Sequence, residues 1–211
     1  MDNIITRMDY QGRNKNRVSV FINEEFAFSV PLLRASGLHA GQHLSLSEIE
    51  ELKAEYDAYS AYAIATRYLI SAPRSRREIA RYLQRKKIEQ EMIEATLLKL
   101  EENALINDEA FARIFVENRE RFGPRSKAAL RYELKGKGIE AAVIEQVTEP
   151  ANDLDLAMKA IGGRMRRFRE LKEDEFREKG LSFLARRGFT YEVAAEAVEK
   201  VFHSLEEERQ S

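Results

Sequence analysis

Two stretches decide how this chain is read: Ser75–Ile93, SRREIARYLQRKKIEQEMI, and Ser126–Ile144, SKAALRYELKGKGIEAAVI. Each follows a Pro-Arg pair, so the tripeptide Pro-Arg-Ser stands at Pro73-Arg74-Ser75 and again at Pro124-Arg125-Ser126. Set one above the other, the apolar positions coincide: Ile79 with Leu130, Leu83 with Leu134, Ile88 with Ile139, Ile93 with Ile144. A third copy lacks the tripeptide but places Leu184, Phe189 and Ala194 where Leu134, Ile139 and Ile144 stand. A period of about fifty residues means one small unit used three times, and in such arrays function tends to lie on surfaces shared by the units.

Local signals give each unit the same plan. Ser75 with Glu78 reads as a capping box, and Pro73 stops the preceding helix before it. Gly123-Pro124-Arg125-Ser126 does the same in the second unit. Lys87-Ile88, Gly138-Ile139 and Gly188-Phe189 fall at helix-to-helix turns, with the apolar residue plugging the core. Each unit is expected to hold a leading helix, a basic helix and an acidic closing helix. Tyr59, Tyr62, Ala63, Thr66, Leu69 and Ile70 recur at helical spacing, as do Phe111, Ile114 and Phe115, then Val193, Ala197, Val198, Val201 and Phe202.

The first thirty residues differ. Ile4–Tyr10, Arg17–Asn23 and Glu25–Val30 alternate like strands, with a polar turn at Gly12–Asn16 and a tight hairpin at Asn23-Glu24. So small a sheet is marginal alone and is expected to pack on the first helices. Pro31–Gly41 reads as a connection, and Ser47-Glu48-Ile49-Glu50 as a capped helix start. The expected fold is mainly α, with three tandem three-helix repeats in a curved array preceded by a small β-hairpin or sheet. The expected divisions are a β-rich element over 1–46 and repeats over 47–104, 105–150 and 151–211.

Composition narrows the function. Hydrophobic content of 44% suits a folded chain, and there are no cysteines, which removes disulfides, thiolate catalysis and cysteine-bound zinc. There is no long apolar run and no signal-type start, so a soluble, cytoplasmic protein is expected. The net charge of −1 conceals segregation. Arg74, Arg76, Arg77, Arg81, Arg85, Lys86 and Lys87 face the single acid Glu78, and Arg121, Arg125, Lys127, Arg131, Lys135 and Lys137 face Glu133. A third group holds Lys159, Arg164, Arg166, Arg167 and Arg169, with Arg186 and Arg187 further on. Acids collect between these groups, at Glu89, Glu91 and Glu94 and again at Glu101, Glu102, Asp108 and Glu109.

These basic residues, Arg121, Lys159 and Arg169 apart, are the candidate contacts for a partner protein or DNA. Against that stands a solvated helix face paired with the next helix's glutamates; three matched copies leave the two readings level. The neighbouring aromatics Tyr68, Tyr82, Tyr132, Phe122 and Phe168 suit core packing better than base stacking, Tyr82 and Tyr132 least clearly. His39 and His43 sit in a loop without a third ligand, and His203 stands alone. Asp108-Glu109, Asp153-Asp155 and Glu173-Asp174-Glu175 lie where helices begin, where acids favour the helix dipole. Gly162-Gly163 marks a break between helices, with a hinge as the alternative. No phosphate-binding loop or nucleophile elbow occurs, so neither an enzyme nor a cofactor or metal is expected.

Leu105-Ile106-Asn107-Asp108-Glu109-Ala110-Phe111-Ala112, followed by Gly123-Pro124 and Lys137-Gly138-Ile139, resembles the central signature of the RecX regulatory proteins. Phe183-Leu184-Ala185-Arg186-Arg187-Gly188-Phe189 is similar to that family's carboxy-terminal signature, and Ser75–Ile88 to its first repeat. The resemblance runs from about Ser60 to Leu205. It implies binding of the RecA recombinase, above all RecA polymerised on single-stranded DNA, within the groove of that filament. It also implies limits on filament growth, ATP hydrolysis, strand exchange and the self-cleavage the filament promotes. No catalytic residue, cofactor or membrane contact is implied, and a monomer is expected. The alternative is a protein that acts mainly by occupying DNA. The third unit departs from the pattern in lacking Pro-Arg-Ser.

Overall fold

The structure, a computed structural model, describes residues 3–10 and 17–210. The polar turn expected at Gly12–Asn16 lies outside these residues. They divide into two compact units, one drawn from Met1–Ala72 and Ile79–Leu105, the other from Pro73–Glu78 and Ile106–Ser211.

In the first unit β1 (Ile5–Tyr10), β2 (Arg17–Ile22) and β3 (Glu25–Pro31) form an antiparallel sheet in that order. Period-two alternation buries Ile5, Val18, Val20, Phe28 and Val30 on one face. Asn23 and Glu24 both take positive φ, 50° and 69°, which gives the two-residue turn the twist that antiparallel strands need. Within the stretch read as a plain connection there is one helical turn, α1 (Leu32–Ala35). Pro31, at φ −60°, presets the chain for it. α2 (Leu46–Ile70) begins two residues earlier than expected, capped by Ser45 rather than Ser47. The box is reciprocal: Glu48 N–H donates to Ser45 Oγ (3.2 Å), and Ser45 N–H donates to Glu48 Oε2 (2.7 Å). Ala35, Leu44 and Ile49 then close the sheet's apolar face, so the sheet does pack on the first helices.

α3 (Arg76–Arg85) and α4 (Gln90–Glu102) complete the first repeat, burying Ile79, Leu83, Ile93, Leu97 and Leu100 beside Ala61 and Ala65 of α2. The second unit holds α5 (Asp108–Phe122), α6 (Lys127–Gly136) and α7 (Ala141–Thr148). It continues with α8 (Asp153–Gly162), the single turn α9 (Met165–Phe168), α10 (Glu173–Ala185) and α11 (Tyr191–Gln210). Its core joins Leu130, Leu134 and Ile144 to Leu156, Ile161, Phe176, Leu184 and Val198. Full burial of one such side chain is worth about 1.5–3 kcal/mol against about 1 kcal/mol for a helix cap, so packing sets the fold and caps set its boundaries.

The three helix-to-helix turns have one geometry. The N–H of Ile88, Ile139 and Phe189 reaches back five residues to the carbonyl of Leu83, Leu134 and Leu184 (3.3, 3.2 and 3.3 Å). The residue before each apolar plug is left-handed: Lys87 at φ 61°, Gly138 at 85° and Gly188 at 87°. These are Schellman-type caps, and glycine suits them because it has no Cβ. Lys87 breaks the glycine pattern, and the packing of the other two turns accounts for glycine there. A Cβ on Gly138 would lie 2.5 Å from Cδ and 2.7 Å from Cβ of Arg77. One on Gly188 would meet Ser126 Oγ at 2.8 Å and Ala129 Cβ at 3.0 Å. The start of one basic helix thus rests on the turn that ends the next repeat's basic helix.

Hydrogen bonds fasten the same joint. Ser75 Oγ donates to the Lys137 carbonyl (2.7 Å), and Ser126 N–H donates to the matching carbonyl of Arg187 (3.2 Å). Asn107 and Asn152 cap α5 and α8 through their side chains. The aspartates beside them do another task. Asp108 Oδ1 accepts from Arg76 N–H (2.8 Å) and Asp153 Oδ1 from Lys127 N–H (2.6 Å), capping the basic helix of the preceding repeat. Pro73–Glu78 accordingly groups with the second unit.

Candidate functional site

Many of the candidate cations belong first to this scaffold. Arg125 Nε lies 2.9 Å from Glu133 Oε1, and Arg119 Nε lies 2.8 Å from the other oxygen of that carboxylate. Lys127 Nζ donates to the Glu149 carbonyl at 3.0 Å. Arg131 pairs with Glu145 at 2.5 Å and donates from Nε to Thr148 Oγ1 at 3.1 Å. Lys137 Nζ meets Glu78 Oε1 at 2.7 Å. Arg74 and Arg76 are half-buried at the joint, and Arg77 lies against Gly138. Burial pushes the Glu78 carboxyl up. The hydrogen bonds from Lys137 and from Ser75 N–H, with the charges of Lys137 and Arg74, outweigh it and hold the group below its ordinary 4.5.

Two groups of cations remain. On the first unit, Arg81, Arg85, Lys86 and Lys87 are exposed at the end of α3. Among them in the chain is Tyr82, whose ring stacks on Tyr68 at 4.1 Å between centroids. Arg85 and Lys86 lie 5.7 and 5.5 Å from the Tyr82 centroid. None of these four cations has an ion-pair partner among the described residues. Lys135, Arg166, Arg167 and Arg186, on the second unit, are exposed and spread over different elements.

The second group lines a cleft of about 780 Å³ in the second unit, where α5 and α8 both end and the segment after α10 passes. Arg121, Lys159, Arg164 and Arg187 line it with the carboxylates Glu117 and Glu120. Arg187 is fixed by donating from Nη1 to the Pro124 carbonyl (2.8 Å) and by lying 4.5 Å from the Phe183 ring centre. Burial, then the guanidiniums of Arg125, Arg164 and Arg119, hold its pKa below the ordinary arginine value, though it stays protonated. Phe122 at the rim is 75% exposed, with Arg121 5.0 Å from its ring centre. Core packing was expected of Phe122, and its place at the last residue of α5, beyond the apolar stripe, explains the difference. Phe168 is buried among Phe176 and Phe183 as expected, and Tyr132 is 81% exposed.

Three family models match in sequence order. "Regulatory protein RecX N-terminal domain" covers residues 3–45, "RecX, first three-helix domain" 61–100 and "RecX, second three-helix domain" 107–147. The regulatory protein RecX of Lactobacillus gasseri is 32% identical over 98% of this chain and 78% of its own length. The chain belongs to the RecX family of regulatory proteins. The RecX of Chlorobium phaeobacteroides is 36% identical over 72% of this chain and 99% of its own. A crystal structure of regulatory protein RecX has the same fold, with a TM-score of 0.65 and 23% identity, over 96% of this chain and all of that one. RecX from Lactobacillus salivarius superposes with a TM-score of 0.56 over 69% of this chain and 96% of its own, at 21% identity. Among the described residues no helix is long and apolar enough to cross a membrane.

Neither basic group is separable from the scaffold in the sequence, because the pairing that removes the other cations depends on how the helices pack within a repeat and, for Lys137 and Glu78, between repeats. The convergence of Lys159 with Arg121 left no sequence signal; it arises because α5 and α8 end at one place.

Proposed function

We propose that this RecX-family chain is a non-enzymatic regulator of RecA. It binds RecA polymerised on single-stranded DNA, in the groove of the filament, and limits filament extension and the activities that depend on it. The observation that carries the reading, beside family membership, is the exposed group Arg81, Arg85, Lys86 and Lys87, with Arg85 and Lys86 beside the Tyr82 ring. Cations left in solvent beside an aromatic ring steer a protein toward an acidic partner and supply contacts on arrival. Of the second repeat's cations, Lys137 ties two repeats together through Glu78, while Arg125, Arg131 and Lys127 pair inside their own repeat with Glu133, Glu145 and Glu149.

The test is RecA's single-stranded-DNA-dependent ATPase, followed while this protein is added. The expected result is a progressive fall in hydrolysis as filament growth is limited. An unchanged rate at and above equimolar ratios to RecA contradicts the proposal.

A further inference from the structure

Four apolar side chains of the first unit are left in solvent together. Tyr10, Val18 and Val30 form a row across the core face of the sheet, each paired to the next. Val18 and Val30 are buried, but Tyr10, the last residue of β1, is 73% exposed, so the core is open at that end. Beside it α1 carries Leu33, 86% exposed, while Leu32 and Tyr59 of α2 are nearly half exposed. The four line a groove of about 770 Å³ together with Pro31, Arg34 and Glu55. A small-molecule pocket encloses most of its ligand, which side chains this exposed cannot do; they form a docking face instead.

The charges at the rim select the occupant. Arg34 and Glu55 stand 2.8 Å apart, both about half exposed, and among the described residues lining the groove they are the two charged ones. One cation and one anion leave the rim without net charge, so it does not attract a polyanion or a strongly charged peptide. An identical rim turned about a two-fold axis does fit: Arg34 of each copy then meets Glu55 of the other. Shape leads to the same occupant. Leu33 projects beside the hollow between Tyr10, Leu32 and Tyr59, so one patch carries both the knob and the hole of a self-complementary contact. The exposed parts of the four apolar residues come to roughly 400–500 Å² in each copy, about 1,000 Å² in a pair, the lower end for a specific interface.

We propose that this groove is the contact between two copies of this chain. In a weak two-fold dimer, Leu33 of each copy fills the groove of the other, and Arg34 and Glu55 pair across the axis. The contact lies wholly in the first unit and needs no RecA, so it goes beyond the regulatory reading and stands or falls without it. The sequence leads to a monomer instead, because Tyr10, Leu33 and Tyr59 lie too far apart in the chain for their meeting to leave a signal.

The experiment is sedimentation equilibrium of the full chain alone, from low micromolar concentration upward. The weight-average mass of unmodified protein should rise from 24.4 kDa toward twice that value. Leu33→Asp should stay at the monomer mass through the same range. Leu33 is exposed enough that helix content, checked by circular dichroism, should not change. Arg34→Glu and Glu55→Arg should each stay monomeric alone, since the first sets carboxylate against carboxylate across the axis and the second guanidinium against guanidinium. An equimolar mixture of those two variants should regain the rise in mass, because opposite charges face each other again in the mixed pair. Unmodified protein that keeps the monomer mass at every concentration overturns the proposal and leaves the groove to a partner of another kind. So does Leu33→Asp, or either charge variant alone, associating as strongly as the parent, and so does a mixture that stays monomeric.

Discussion

Replacing Gly138 with alanine tests the joint between repeats directly. Gly138 has φ 85°, a left-handed conformation that costs a residue with a Cβ about 1–2 kcal/mol. The added methyl would lie 2.5, 2.7 and 3.1 Å from Cδ, Cβ and Cγ of Arg77. Cδ and Cγ can swing away, but Cβ is fixed to the α3 backbone, so the helix start itself must shift. Overpacking of that kind costs roughly 1–3 kcal/mol, and the two effects together roughly 2–5 kcal/mol. Urea unfolding followed by circular dichroism should show the transition that includes the second unit moving to lower denaturant, with the full chain as the sample. Two compact units need not unfold together, so the shift is read on that transition and not on a single global fit. Combining the change with Arg77→Ala should recover only part of the loss, because the Cβ clash remains. Lys87→Gly serves as control: Lys87 is left-handed at φ 61° but exposed, and the change should stay within about 1 kcal/mol. Gly138→Ala unfolding at the wild-type midpoint would show that the joint is not close-packed.

Two further outcomes follow from the charges. Glu78→Gln should destabilise the second unit by about 1 kcal/mol at neutral pH, since the half-buried carboxylate loses its charge-assisted bond to Lys137. Because the folded-state pKa of Glu78 lies below 4.5, the native contribution is complete above that value and is lost as pH falls through the folded pKa. Unfolding midpoints of the two proteins should therefore differ at pH 7 and converge in acid below 4.5; a difference that persists or widens there contradicts the assignment. Replacing Arg81, Arg85 and Lys87 together with glutamate should weaken the effect on RecA's ATPase by at least tenfold in the concentration required, while helix content holds.

Much of the fold is legible in the chain because its signals are local. Ser75 and Glu78 three residues apart, Pro124 ahead of Ser126, and the apolar plugs Ile88, Ile139 and Phe189 each act within one turn of helix. What the sequence hides is contact between side chains and backbone that the packing of helices brings together. Asp108 and Asp153 read as helix-start acids, yet each closes the basic helix of the repeat before. Arg125, at the mouth of its basic helix, is the natural candidate for an outward contact, but Glu133, one turn and more along α6, holds it. The same limit applies to the cleft. Arg164 and Arg187 stand in the charge pattern, but the absence of carboxylate partners around them is a property of three dimensions. Phe122 misleads because helical spacing does not say that α5 ends just there, with its last ring in solvent.

The central claim is that this chain regulates RecA by seating on its filament. The most direct measurement is a side-chain-resolution image of this protein reconstituted on RecA–single-stranded DNA filaments. The account predicts density in the filament groove, with Arg81, Arg85, Lys86 and Lys87 against RecA. A chain that fails to load on the filament, or that loads with the end of α3 turned to solvent, would contradict it.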